Sequence, residues 1–477
     1  MIRRRVVSAG VAVAAVLATV ACQGDDRPAA TPSPSPSASP EKPTAGADGI
    51  GDPYFPTYGN GGYDVASYNL EIRYDPATDR LTGTATVTAN ATQALSSFNL
   101  DLVGLDVSEV TVDGAPATQT HTGGELVVTP AAPVGNGARF TTVVTYGGVP
   151  GAVGGPQLGT GGWMATADGA IALGQPESAS SWYPVNDHPR DKATYDLAIT
   201  VPKGLSVFSN GVPGGTTDDG SWTTWTFAEG KPMASYLTTV VIGKYRTETG
   251  THNGKPLVTG VSESLQPGVA DVAMGRTGEI ADFLETQFGP YPFDAYGGVV
   301  VNDPRIRYAL ETQSRPVYSK AFFDGPAADW VVAHELAHQW FGDSVSIANW
   351  RDIWLNEGFA SYAEWLWEEH NGVTPVQRSF EREYERTDWA LPAYDPGTQE
   401  LFGNAVYKRG ALVVHALRLE VGDDTFFSLV KGWTADKRDG NATTEEFRAY
   451  AQEKAGKDLG AFFDAWLTGT SRPPLPS

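Results

Sequence analysis

The chain has 477 residues, 41% of them hydrophobic and 19% charged, which is enough for a packed core and too many for one ordinary domain. Its formal charge is −22, from 34 Lys and Arg against 56 Asp and Glu, and after the first few residues the cations form no basic stripe, so nucleic acid is excluded as a partner. The single cysteine excludes a disulfide framework.

The chain opens MIRRRVVSAGVAVAAVLATVAC. Arg3, Arg4 and Arg5 form a charged start, 6–20 is an apolar run too short for a spanning helix, and small residues precede Cys22. Residues 1–21 read as a secretory signal peptide. The TVAC at 19–22 resembles a bacterial lipobox, in which the cysteine is lipidated and becomes the mature N-terminus, although Thr19 stands where leucine is usual. Cys22 is the expected lipidation site, and the Pro- and Ser-rich stretch to residue 48 is an extended tether. The expected location is the outer face of the bacterial cell membrane, with plain secretion as the alternative.

From 49 to 255 short alternating segments rich in Thr, Val and Tyr, such as YDVASYNLEIRYD and ATYDLAITVP, are punctuated by Gly, Pro and Asn. This is the pattern of an all-β domain. The character then changes. VADVAMGRTGEIADFLETQFG reads as an amphipathic helix closed by a glycine, and helical signals dominate from 326–341 through 357–370, 375–390, 405–420, 423–434, 443–455 and 458–468. The second domain, 256–470, is mostly helical.

HELAHQW, 334–340, lies in the first of these later helices, with Asp324 available as a cap, Gly325-Pro326 before it and Gly342 after it. At 100° per residue His338 projects about 40° from His334, so both imidazoles reach one point and Glu335 flanks the same face. Two neutral imidazoles with a carboxylate beside them are what a zinc hydrolase needs to bind metal and handle a water. A catalytic zinc also requires a third protein ligand and an open fourth position. Eighteen residues after His338, NEGFASYAEW begins a second amphipathic helix with Glu357 in its first turn. Glu364, two turns further along the same face, either orients a ligand histidine or pairs with solvent. His121, His188, His252, His370 and His415 have no metal-ligand spacing.

HExxHxW followed by the Glu of NEGF resembles the aminopeptidase N family of zinc gluzincins. The resemblance makes His334, His338 and Glu357 the ligands of one zinc ion per chain, and Glu335 the general base. It implies an N-terminal antiparallel β-sandwich or saddle domain followed by a mostly helical, thermolysin-like catalytic domain. YALETQ, 308–313, takes the place of the family's GxMEN, which makes Glu311 the carboxylate that grips the substrate's free amino terminus. YKRG, 407–410, matches YxKG with Arg409 in place of lysine, which makes Tyr407 the oxyanion stabiliser. GQPESASSWYPVNDHPRDKATYDL, 174–197, is similar to a segment of the family's β domain, and there Glu177 would be a second contact to the amine. Many family members carry a further C-terminal helical domain, which is not expected here, so a more open cleft is.

The expected function is a zinc-dependent aminopeptidase acting on peptides with a free N-terminus, with no obligate protein partner. A secreted zinc endopeptidase, sharing the metal ligands but not needing Glu311, and an inactive surface binding protein are the alternatives.

Overall fold

A computed structural model describes residues 42–155, 158–325 and 328–476. Cys22, the signal and most of the tether lie outside the described residues. No described helix is long and apolar enough to cross a membrane.

Among the described residues, the N-terminal half is built from three sheets. The largest has eight strands in the spatial order Val212–Asp219, Trp222–Ala234, Lys192–Pro202, Tyr63–Asp75, Arg80–Ala91, Arg139–Gly148, Asp106–Val112 and Ala115–Pro116. Its pairings are antiparallel except between Tyr63–Asp75 and Lys192–Pro202, which run parallel. In Tyr63–Asp75 the buried residues are Tyr63 and Val65, then Tyr68, Leu70, Ile72 and Tyr74. The change from odd to even positions falls where the pairing register shifts between Val65 and Ser67, because one extra residue turns the following side chains to the other face. A four-stranded sheet contains Leu95–Asp101, and a five-stranded one contains Gly159–Ala165, Ala170–Leu173 and Val240–Gly243.

The second half carries another five-stranded sheet, ordered Tyr245–His252, Lys255–Ser262, Tyr296–Val301, Val317–Ser319 and Ala309–Leu310. Tyr296–Val301 is buried along its whole length between two parallel neighbours, as a central parallel strand must be. Tyr245–His252 pairs with Lys255–Ser262, so it belongs to the sheet of the second half although it lies within the 49–255 span read as the β domain. Strand alternation is the same in both sheets, and only the pairing separates them.

Nine α-helices follow among the described residues: α1 Val269–Gly275, α2 Thr277–Phe288, α3 Asp329–Ala337, α4 Trp354–His370, α5 Val376–Arg386, α6 Gly410–Val421, α7 Asp423–Asp436, α8 Thr444–Ala455 and α9 Gly460–Phe463. α3 is shorter than the 326–341 stretch. It starts after Ala328 without a side-chain cap, and Asp324 pairs with Lys320 at 3.3 Å instead. It ends at His338, whose N–H still donates to the His334 carbonyl at 3.3 Å. α4 packs against α3 on one side and α6 on the other. A Cβ on Gly358 would lie 2.9 Å from the Gly410 backbone, and one on Gly410 would lie 2.8 Å from the Gly358 Cα. This glycine pair lets α4 and the start of α6 touch through bare backbone, which sets the turn before α6 against α4.

Candidate metal centre and peptide cleft

α3 and α4 present three ligand atoms to one point. His334 Nε2 and His338 Nε2 each lie 3.4 Å from Glu357 Oε2. A tetrahedral ion with bonds of about 2.0–2.1 Å separates its ligand atoms by about 3.4 Å, which both of these separations match, and all three ligand atoms lie within 4.8 Å of one another. The opposite ring nitrogens are occupied: His334 Nδ1 is 2.7 Å from Glu364 Oε1, and His338 Nδ1 is 2.9 Å from the Phe341 carbonyl. With both Nδ1–H groups donating outward, the Nε2 lone pairs face the common point, as metal ligation requires. Glu364 therefore orients His334 rather than pairing with solvent, and its other oxygen is 3.5 Å from Lys408 Nζ.

The electrostatics follow from burial and close charge. Burial alone would raise Glu357, but His338 and His334 outweigh it and hold the carboxyl down at about 2. Burial would lower His334, yet the carboxylates of Glu357 and Glu364 raise it to about 9, holding a proton that a bound cation would displace. Burial pushes Glu335 up to about 8 against the pull of His334 and His338, with Glu311 and Glu357 adding to the rise.

The trio opens onto a cleft of about 530 Å³ that also contains Glu335, Glu311, Gln175, Tyr407 and Lys408. Glu311 follows the strand Ala309–Leu310, and its Oε1 accepts from Tyr236 Oη at 2.9 Å and from Gln175 Nε2 at 3.4 Å, both from the β domain. Gln339, the residue after His338, donates through Nε2 to the Glu311 carbonyl at 3.0 Å. Beyond Glu311 the chain turns through Ser314 at φ 62° into Arg315. Buried Arg315 donates to the carbonyls of Tyr296, Val258 and Gly211, tying the two halves together behind Glu311. Gly297 leaves the space that this guanidinium fills.

Tyr407 sits in a π-helical turn, Ala405–Arg409, wound just before α6. Such turns recur at functional sites. Its ring stacks on His334 with centroids 6.0 Å apart. Burial, with Glu357 and Glu311 nearby, holds its phenol well above the usual range. Arg409, in the position of the family lysine, is buried and donates to the carbonyls of Trp466, Leu391 and Gly469, locking that turn in place.

One expected site residue is not brought to the cleft. Glu177 is absent from the cleft wall; its Oε1 accepts from Tyr58 Oη at 3.1 Å, and burial beside Asp187 raises it to about 7. Gln175, two residues earlier, stands at the wall instead. Tyr236, Gln175 and Lys408 are the participants that sequence reading missed. Gln175 lay within the segment already singled out, whereas nothing local marked Tyr236. His188 is structural, bonding Asp52 at 3.2 Å in a buried pair.

Family models match both halves of the chain. The family model described as the Peptidase M1 N-terminal domain matches residues 65–237, and that of the Peptidase family M1 domain matches 272–466. The M1 zinc metallopeptidase from Deinococcus radiodurans superposes with a TM-score of 0.82 at 31% identity, covering 90% of this chain and 99% of its own. The chain belongs to peptidase family M1. A mutant of the same Deinococcus radiodurans enzyme bound to a Tyr-Ser-Ala substrate superposes with a TM-score of 0.83 at 30% identity, over 90% and 99% of the two chains. Glutamyl aminopeptidase of Sus scrofa is 27% identical over 63% of this chain and 34% of its own length. Aminopeptidase N of Streptomyces lividans is 26% identical over 59% and 36%. The chain thus spans about a third of the length of the curated relatives it matches, while it matches the two-domain M1 structures end to end.

Proposed function

We propose that the chain is a zinc-dependent aminopeptidase that hydrolyses the first peptide bond of peptides with a free amino terminus. The observation that carries this reading is the buried Glu311 carboxylate, held by Tyr236 and Gln175 in the same cleft as three convergent metal ligands. His334, His338 and Glu357 would hold the zinc, which supplies Lewis acidity to polarise the carbonyl and acidify water.

The remaining work falls to side chains. Glu311 receives the substrate's α-ammonium, and because it is fixed from both domains it sets the register so that only the first peptide bond reaches Glu335. Glu335 takes a proton from the attacking water and passes it to the leaving amine. The Tyr407 phenol, kept protonated by burial and by its carboxylate neighbours, donates to the oxygen that gains negative charge. Glu364 and the Phe341 carbonyl keep the two imidazoles turned to their task.

The test compares free with N-acetylated peptides. An aminopeptidase loses the acetylated substrate; equal cleavage of both would establish the endopeptidase instead, and no cleavage with zinc bound would establish a binding protein. For location, we propose export and a lipid anchor at Cys22, supported by the charged start, apolar run and TVAC. Palmitate labelling that survives Cys22→Ala would refute the anchor.

A further inference from the structure

We propose that Arg307 anchors the carboxylate at the far end of the substrate, so that the cleft selects peptides of three or four residues that present one there. This rests on the aminopeptidase reading and extends it to substrate class. Arg307 is exposed on the cleft wall. Of the other basic side chains lining that wall, His334 and His338 face Glu357 at the metal point, and Lys408 lies 3.5 Å from Glu364. Arg307 has no ion pair or side-chain hydrogen bond among the described residues. It is therefore an uncompensated positive charge in a cleft that also holds Glu311, Glu335, Glu357 and Glu364.

Its backbone is held on both sides. The Ile306 side chain is buried, and its carbonyl accepts from Ser319 Oγ at 2.6 Å. The Tyr308 hydroxyl donates to the Thr160 carbonyl at 2.9 Å, and the Tyr308 carbonyl accepts from Ser319 N at 3.2 Å. A charge on a fixed backbone loses little freedom when it meets a ligand, which is what recognition at a distance requires.

The cleft also has a direction. Ala309–Leu310 is the edge strand of its sheet, paired with Val317–Ser319 on one side and with no described strand on the other. An extended peptide can lie along that free edge. Beyond Glu311 the path is closed, because Thr312, Gln313, Ser314 and Arg315 are all buried. A peptide whose ammonium meets Glu311 therefore runs back toward Arg307. Four residues of extended chain span about 13 Å, so the third or fourth residue of the substrate comes level with the guanidinium. The carboxylate it meets is either the free C-terminus or an acidic side chain.

The experiment uses the full zinc-loaded protein, with Leu-Ala-Ala-Ala as free acid, as C-terminal amide, and as the amide with glutamate in the last position. The wild type should favour the acid over the plain amide by about tenfold in kcat/KM, mostly through KM, as a partly exposed charge-assisted contact gives. Arg307→Ala should bring that ratio close to one, and Arg307→Lys should fall between. If the glutamate amide regains the advantage, a side-chain carboxylate is also read; if not, only the C-terminus is, and either result supports Arg307 as the reader. Equal cleavage of acid and amide by the wild type, or a ratio unchanged in Arg307→Ala, overturns the proposal. Failure of the wild type to release leucine from any of the three or from leucine arylamide refutes the aminopeptidase reading itself.

Discussion

Replacing Glu364 separates a carboxylate that holds a ligand from one that merely neighbours it. Glu364 Oε1 lies 2.7 Å from His334 Nδ1, and the residue is 8% exposed, so water cannot readily take over the bond. In Glu364→Ala the His334 ring loses both its tautomer lock and its rotational stop. Carboxylates that orient metal-ligating histidines are worth about 10- to 100-fold in metal affinity, or about 1.4–2.7 kcal/mol. Glu364→Gln keeps an acceptor at the same place and loses only the charge, so its deficit should fall at the low end or below. Competition for zinc against a chromogenic chelator reads the affinity, and kcat/KM at saturating zinc shows whether activity returns once the metal is restored. Lys408 loses its partner in both variants, which makes Lys408→Met the control for that effect. A Glu364→Ala protein that binds zinc within twofold of the wild type would show that the Phe341 carbonyl and the packing of α3 on α4 orient the ligands unaided.

Glu335→Gln should retain one zinc per chain by elemental analysis and lose about 10²- to 10⁴-fold in kcat. Tyr407→Phe should lose about 10²- to 10³-fold in kcat with little change in KM, since its contact forms only as charge develops; a change confined to KM would assign Tyr407 to substrate binding. Gly358→Ala inserts a methyl group 2.9 Å from the Gly410 backbone and should destabilise the fold by about 1–3 kcal/mol in urea titration. Burial, reinforced by Arg418, lowers His415 to about 4, so it is neutral when folded and charges on unfolding below its ordinary pKa of 6.5. Its contribution is thus full above pH 6.5 and is lost as pH falls toward 4, to a limit of about 3 kcal/mol. The stability of His415→Gln should differ from the wild type in slope across that window and in no slope above it.

What was legible in the sequence and what was not divides by the distance over which each arrangement is made. His334 and His338 meet because one helical turn brings them together, and Glu357 joins them because a second helix returns after a short excursion; both facts lie within 24 consecutive residues, 334–357. The β strands were legible through alternation, but the bulge at Val65–Ser67 and the assignment of Tyr245–His252 to the second sheet were not, since pairing decides both. The placement of Glu177 has the same origin. A segment can be recognised while the side chain it presents is chosen by a partner far away, here Tyr58, 119 residues before it. Tyr236 reaches Glu311 across 75 residues and Gln175 across 136, and no local pattern encodes either bond. The glycines of NEGF and YKRG bridge the two scales. Each reads as a small residue in a motif, yet their shared purpose appears only where Gly358 and Gly410 touch and draw Glu357 and Tyr407 to the same cleft. The local motifs thus account for the chemistry of the metal ligands, while the long-range contacts from the β domain hold Glu311, and on the proposed reading it is the second set that would distinguish an aminopeptidase from any other zinc hydrolase built on the same two helices.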